Sequence, residues 1–299
     1  VTRLLVIRLS ALGDVIHTIP AVALLRGSTD LSWVVEGAYS DLVEIVAGVV
    51  AIPVRLRRWS WREVRAAYRA VRGFDEAVDF QGLMKSALIA RASGAGRRYG
   101  FDRAAVREKP AALFYTDRVG VDRSRHVVDW NLELAKHVTG NRQPATVNWP
   151  AFPREGGELA KYRGRIVLLP GAGRVGKLWP VEKFREVARA VGARALAVWG
   201  PGEKERAAAI GAELAPPTDL RQLAFLLQHA SAVVGGDTGP LHLADALGAP
   251  VVGLYGPTDP RRNGPYGQLD SCISEFGRSG SMAAIAPDAV IRKIEEVSR

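Results

Sequence analysis

The chain has 299 residues, 47% of them hydrophobic and 24% charged, and 41 Lys and Arg against 31 Asp and Glu give it a formal net charge of +10. Such values belong to a globular chain long enough for two cores and exclude a disordered or collagen-like one, while a single cysteine, Cys272, excludes an internal disulfide and any multi-cysteine metal site and fits a reducing compartment. No apolar run approaches the roughly 20 residues of a membrane span, so a cytoplasmic protein is expected, and the first 150 residues carry 22 Lys and Arg against 15 Asp and Glu, so that half is expected to meet something acidic.

In chain order, residues 3–9 read as an apolar strand, followed by the loop Ser10-Ala11-Leu12-Gly13-Asp14 and a helix over 15–25. One glycine in this turn is too few for the G-x-G-x-x-G fingerprint, which speaks against a nicotinamide dehydrogenase. Asp14 heads the helix, where the dipole stabilises a carboxylate, and on the residues alone capping is favoured over catalysis. A strand over 31–35, a helix over 39–47 and an extended run over 49–56 follow. Then come Arg55, Arg57, Arg58, Arg62, Arg65, Arg69 and Arg72, opposed only by Glu63. On a helix starting near Ser60, the last four fall at steps of three and four and make one basic stripe, usually a solvated face. Arg57 and Arg58, beside Trp59 and Trp61 at a loop end, read instead as anion ligands.

A strand over 76–80 ends in Asp79-Phe80-Gln81-Gly82 before a helix over 83–92, which places polar groups at the same sheet edge as Asp14. Residues 100–115, with Arg103, Arg107, Glu108 and Lys109, read as loop; 126–138 read as helix. The proline-bearing stretch 139–157 reads as the linker between domains at 1–150 and 151–299.

The second half starts afresh with a strand over 165–169, the glycine-rich loop 170–176, Lys177 and a helix over 181–191. Lys177 follows PGAGRVG at a strand's carboxyl end, a place for a phosphate partner rather than for a plain surface lysine. A strand over 195–199, helices over 203–214 and 220–228, and a last helix over 287–297, a candidate to pack back on the first domain, complete the pattern. The organising stretch is SAVVGGDTGPLHLADALGAPVVGLYGPTDP, residues 231–260. It reads as strand, tight loop, helix, strand and second polar turn, a βαβ unit with both loops at the carboxyl edge of a parallel sheet. Pro240 suits the first helical turn, whose free N–H groups and positive dipole end make a phosphate seat. His242, one turn after Asp237 and Thr238, adds a donor there.

The runs SALGDVIHTIPA (10–21), WVVEG (33–37), DFQGLMKSAL (79–88), KLWP (177–180), DTGPLH (237–242) and YGPTDP (255–260) occur in this order and spacing over nearly the whole chain. Through them the sequence resembles the bacterial lipopolysaccharide heptosyltransferases, glycosyltransferase family 9, most of all its heptosyltransferase I branch. The resemblance implies an α/β chain of GT-B fold, two Rossmann-like domains whose parallel sheets face across a cleft. It implies an inverting transfer of heptose from ADP-L-glycero-D-manno-heptose to the Kdo of Kdo-lipid A. Asp14 becomes the catalytic base, reversing the capping reading, and Lys177 the partner of the donor diphosphate. Gly173, Glu203 at the ribose, Thr218 at the adenine, Asp237, Thr238, Gly239, His242 and Thr258 would line the donor site. Arg57, Arg58, Gln81, Lys85 and Arg107 would bind the acidic acceptor.

Inversion needs a base on the acceptor hydroxyl and positive charge on the departing diphosphate. No Asp-x-Asp pair is present to hold a metal, so Lys177, the helix starting at Pro240 and His242 would supply that charge, with no cofactor expected. A monomer, peripherally associated with the inner membrane that presents the acceptor, is expected, without nucleic-acid binding. Two other enzyme readings stay open, heptose addition at another core position and a GT-B sugar-nucleotide epimerase. A basic nucleic-acid-binding module is disfavoured because the arginines sit beside a phosphate-binding α/β scaffold.

Overall fold

A computed structural model describes residues 2–26, 29–55, 61–140 and 157–298. The chain divides into two compact units, Val1–Pro150 and Ala151–Arg299.

In the first unit, six strands form one parallel sheet: β1 (Thr2–Ile7), β2 (Thr29–Glu36), β3 (Val50–Val54), β4 (Glu76–Asp79), β5 (Arg97–Phe101) and β6 (Asp117–Val119), in the order β3-β2-β1-β4-β5-β6. Its central strand is covered on both faces. Leu4, Leu5, Val6 and Ile7 are all fully buried, which is why this strand reads as a continuous apolar run and not as an alternation. The helical segments are α1 (Leu12–Ile16) and α2 (Ile19–Leu25), a short α3 (Ser40–Leu42), α4 (Trp61–Ala70), α5 (Met84–Ala92) and α6 (Val127–Thr139). Helices α4 and α5 press Ala67, Ile89 and Ala90 onto the face made by Leu5, Ile7 and Val34. The single helix expected over 15–25 is two helices, because Pro20 in a continuous one would lack a donor and crowd the Ile16 carbonyl; Thr18 breaks the run and hydrogen-bonds the Asp14 carbonyl through Oγ1 at 2.8 Å.

The second unit repeats the plan: β7 (Ile166–Leu169), β8 (Ala195–Ala197), β9 (Glu213–Leu214), β10 (Ala232–Gly236), β11 (Val251–Tyr255) and β12 (Cys272–Ser274), all parallel, in the order β12-β11-β10-β7-β8-β9. Numbered within its own domain, each sheet reads 3-2-1-4-5-6, the order of a Rossmann-like sheet, with its switch point between strands 1 and 4. Around the second sheet lie α7 (Val181–Val191), α8 (Lys204–Ala208), α9 (Leu220–Gln228), α10 (Gly239–Ala246), α11 (Pro260–Asn263) and α12 (Pro287–Val297).

One more expectation is corrected here. The helix expected over 203–214 stops at Ala208; Gly211, at φ +79°, turns the chain so that Glu213 and Leu214 add to the sheet edge beside β8. The last helix buries Val290 and Ile294 in its own domain's core with Trp179, Phe184, Val234 and Leu254. Its apolar stripe is thereby used within the second unit. Among the described residues, no helix is long and apolar enough to cross a membrane.

Candidate active site

Every strand of the second sheet runs the same way, so the loops after β7, β8, β9, β10 and β11 share its carboxyl edge. These carry, in turn, Gly173 and Lys177, Glu203, Thr218, Asp237 to His242, and Thr258. At the switch point, between β7 and β10, three of them meet. Lys177 Nζ lies 2.5 Å from Asp237 Oδ2, and His242 Nε2 lies 3.1 Å from Asp237 Oδ1. Because a carboxylate only accepts, Nε2 carries the hydrogen in this pair. Asn263, at the end of α11, donates through Nδ2 to Asp237 Oδ2 at 3.0 Å. Burial would raise the Asp237 carboxyl, whose side chain is only 6% exposed, but the hydrogen bond and charge of His242 and then those of Lys177 outweigh it and hold the group well below the ordinary carboxylate range.

The backbone explains how Lys177 gets there. A Cβ on Gly236 would sit 3.0 Å from the Lys177 carbonyl oxygen, so the glycine that ends β10 lets the preceding loop pass against it. Thr238 is extended and acts as the N-cap of α10 without a side-chain cap; Pro240 occupies the first turn, where its missing N–H costs nothing. That helix start and Lys177 bring positive charge to one edge, beside the N–H of His242. Burial, with Asp245, Asp270 and Asp237 nearby, pushes the Cys272 thiol up to about 12, which disqualifies it as a nucleophile at neutral pH.

The switch point of the first sheet carries different chemistry. Arg8, at the end of β1, is buried; its Nη1 donates to the Phe80 carbonyl and its Nη2 lies 2.8 Å from Asp14 Oδ1. Arg107 Nη1 lies 3.5 Å from the other oxygen, Asp14 Oδ2. The N-cap of α1 is Ala11, and the Asp14 side chain, 30% exposed, faces these two guanidinium groups. Capping does not account for it.

Gly82 brings Arg107 close. At φ +66° it takes a conformation other residues avoid, a Cβ there would lie 3.2 Å from the Arg107 nitrogen, and its carbonyl accepts from Glu108 N at 2.9 Å. Asp79 shapes this turn: Oδ1 accepts from the backbone nitrogens of Gln81 (2.8 Å) and Gly82 (3.1 Å), and Oδ2 from the Tyr115 hydroxyl (2.7 Å). Complete burial raises its carboxyl despite those bonds.

The family model for glycosyltransferase family 9 (heptosyltransferase) matches residues 62–284. The chain belongs to glycosyltransferase family 9. It is 32% identical to lipopolysaccharide heptosyltransferase 1 of Escherichia coli O18:K1:H7 over 98% of this chain and 97% of that protein, and 34% identical to lipopolysaccharide heptosyltransferase 1 of Pseudomonas aeruginosa over 89% and 82%. Among solved structures, E. coli heptosyltransferase WaaC with ADP matches it with a TM-score of 0.82 at 30% identity, covering 99% of this chain and 100% of that one. E. coli ADP-heptose lps heptosyltransferase II, TM-score 0.80 at 21% identity, shares the fold. This family 9 member is thus a glycosyltransferase of GT-B-like fold.

For a family 9 enzyme, the sequence picks out most of both clusters and misses several supports. Lys177, Asp237 and His242 come together as a bonded group, and Thr238 and Gly239 continue it into α10. Gly173 is exposed, with open space where a side chain would stand, and Thr218 and Thr258 lie half-buried at the same edge. Glu203 Oε2 accepts from Gly200 N at 2.9 Å. Gln81, expected at the acceptor, is buried, and its Oε1 accepts from Leu9 N at 2.7 Å, which makes it a support of the loop that carries Asp14. Lys85 lies in the first turn of α5, just after the Gln81–Gly82 turn. Arg57 and Arg58 lie outside the described residues. The reading of the residues did not single out Arg8, Asn263 or Arg206. Arg8 had a signal, the one charge after the apolar run Leu4 to Ile7; Asn263 and Arg206 had none beyond position.

Proposed function

We propose that this enzyme transfers heptose, with inversion, from ADP-L-glycero-D-manno-heptose to the Kdo of Kdo-lipid A during synthesis of the lipopolysaccharide inner core. The observation that carries the reading is the end-to-end likeness to lipopolysaccharide heptosyltransferase 1, joined to a solved relative, E. coli heptosyltransferase WaaC, in complex with ADP-2-deoxy-2-fluoro heptose (30% identity, TM-score 0.81).

In this reading the second domain holds the donor. Lys177 and the start of α10 meet the diphosphate, His242 lies beside them, and Asp237 aims both side chains. The first domain holds the acceptor, whose carboxylate and phosphate groups suit Arg107 and Lys85. Asp14 takes the proton from the acceptor hydroxyl as its oxygen attacks the anomeric carbon and the bond to the diphosphate breaks on the opposite face. Arg8 fixes Oδ1 and leaves Oδ2, the oxygen more loosely met by Arg107, to accept that proton. The negative charge growing on ADP is met by Lys177 and the helix start, so no divalent cation is needed.

The enzyme works at the membrane surface that presents its lipid acceptor. Exposed Arg62, Arg65, Arg69 and Arg72 on α4, and exposed Leu88 and Leu113 in the same domain, support that placement. The test is a transfer assay with ADP-heptose and Kdo-lipid A followed by linkage analysis. One heptose on Kdo is expected. Heptose at another core position, or conversion of ADP-heptose to an epimer without acceptor, contradicts the proposal.

A further inference from the structure

Lys177 can serve a diphosphate only if the loop that bears it keeps its reach, and that loop lies open to solvent. Gly173, Arg174, Val175 and Gly176 are all exposed, Val175 at 85%. The loop buries no side chain at its tip, 173–176. Its two ends are instead held by one side chain of a neighbouring helix. From α8, Arg206 Nε donates to the Pro170 carbonyl at 2.8 Å, and Arg206 Nη2 donates to the Trp179 carbonyl at 2.5 Å. Pro170 is the first residue after β7, and Trp179 is buried in the domain core and donates its indole N–H to the Ile285 carbonyl at 3.2 Å. The guanidinium therefore spans the neck of the loop 170–179.

A planar, permanently charged fork suits two carbonyls at once, which an ammonium on a flexible stem does not reproduce. The N-cap of the same helix also lies against the start of the loop. Glu203 lies so close over Gly171 that a Cβ there would come within 2.1 Å of its carboxylate. A side chain at 171 would meet that carboxylate, the flexible end of Glu203, and displace it.

We infer that Arg206 is a positioning residue of the transfer reaction, fixing the neck of the 170–179 loop so that Lys177 meets the donor diphosphate. This rests on Lys177 serving that diphosphate, as proposed above. Arg206 acts through the lysine and makes no contact with the sugar nucleotide itself. A purely structural role would lower stability and leave the kinetics of the folded enzyme alone.

A double-mutant cycle on the full chain separates these roles. Lys177→Ala, Arg206→Ala, the double variant and Arg206→Lys are compared for kcat and for KM toward ADP-heptose, with the thermal midpoint measured alongside. Arg206→Ala should lower kcat/KM at least about tenfold, the scale of an ångström-level misplacement of a reacting group. In the Lys177→Ala background the same change should have an effect below about twofold, since the two act as one unit, and Arg206→Lys should recover part of the loss. If Arg206→Ala is too unstable to assay, Arg206→Lys takes its place in the cycle. Losses that multiply in the double variant, or a fall in thermal midpoint with unchanged kcat/KM, overturn the inference. A silent Lys177→Ala overturns the donor reading itself, a result distinct from a silent Arg206→Ala beside a damaging Lys177→Ala.

Discussion

The two domains share one strand order and each has a carboxylate beside its switch point, Asp14 after the first strand and Asp237 after the fourth, yet the two are engaged in different ways. Asp237, at the switch point of the second sheet, is buried, and both its oxygens are taken: Oδ1 by His242, Oδ2 by Lys177 and Asn263. Asp14, at the switch point of the first, is partly exposed, with Oδ1 tied to Arg8 at 2.8 Å and Oδ2 met by Arg107 at 3.5 Å. A carboxylate with close donors on both oxygens can aim its neighbours but has little left for a proton; one held closely at a single oxygen keeps the other, only loosely met, more open to a proton. The fold supplies the position, and the surroundings of each side chain decide how its oxygens are engaged.

The largest effect expected from this contrast is at Asp14. Asp14→Asn keeps the shape and removes the proposed base, so turnover should fall at least about a hundredfold. A rate near that of the unaltered enzyme would return Asp14 to a structural role. Lys177→Ala takes charge away from the leaving diphosphate and should lower kcat/KM for ADP-heptose about a hundredfold. A loss confined to the Kdo-lipid A KM would move Lys177 to the acceptor.

Asp237→Ala strands a lysine and a buried histidine, and should lower stability by about 3 kcal/mol in denaturant titration. Its pH dependence carries a sign. Folding depresses the Asp237 carboxyl, so its stabilisation is present above the ordinary carboxylate value of about 4 and is lost as pH falls from there toward the lower folded value. The stability gap between the unaltered chain and Asp237→Ala should thus shrink below about pH 4. A gap that widens on acidification would contradict the ion-paired arrangement. The smallest structural effect is expected at Tyr115→Phe, which removes one donor from the buried Asp79 and should cost about 1–3 kcal/mol of stability without changing kcat. Treatment with EDTA should leave the rate unaltered; a loss restored by a divalent cation would remove Lys177 and the α10 start as the sole charge on the diphosphate.

Much of this was legible in the sequence, for a physical reason. Buried parallel strands are unbroken apolar runs, and the helices between them have strong signals at their ends, so α7, α9, β11 and α12 fall where the pattern puts them. The short edge strands were not legible. Those at 117–119, 213–214 and 272–274 are too brief and too polar for any periodicity, and they form because a neighbouring strand offers them a ladder. The same division runs through the site. Lys177 and Asp237, beside glycine-marked turns, could be picked out from the residues, whereas Asp14, which alone reads as a cap, was singled out only through the family resemblance. Arg8, Asn263 and Arg206 act through contacts from segments distant in sequence, as at Arg206, whose partners are Pro170 and Trp179. Gln81 shows the converse: it sits at the right strand end, but its carboxamide is turned inward to Leu9.

The division of labour between the two carboxylate centres is tested most directly by the ADP dissociation constant, measured by titration calorimetry on the unaltered enzyme, Asp14→Asn and Lys177→Ala. The account predicts that Asp14→Asn binds ADP within about twofold of the unaltered chain, because a base acts only in the transition state, while Lys177→Ala binds it at least about tenfold more weakly. Weakened ADP binding in Asp14→Asn together with unchanged binding in Lys177→Ala would contradict it.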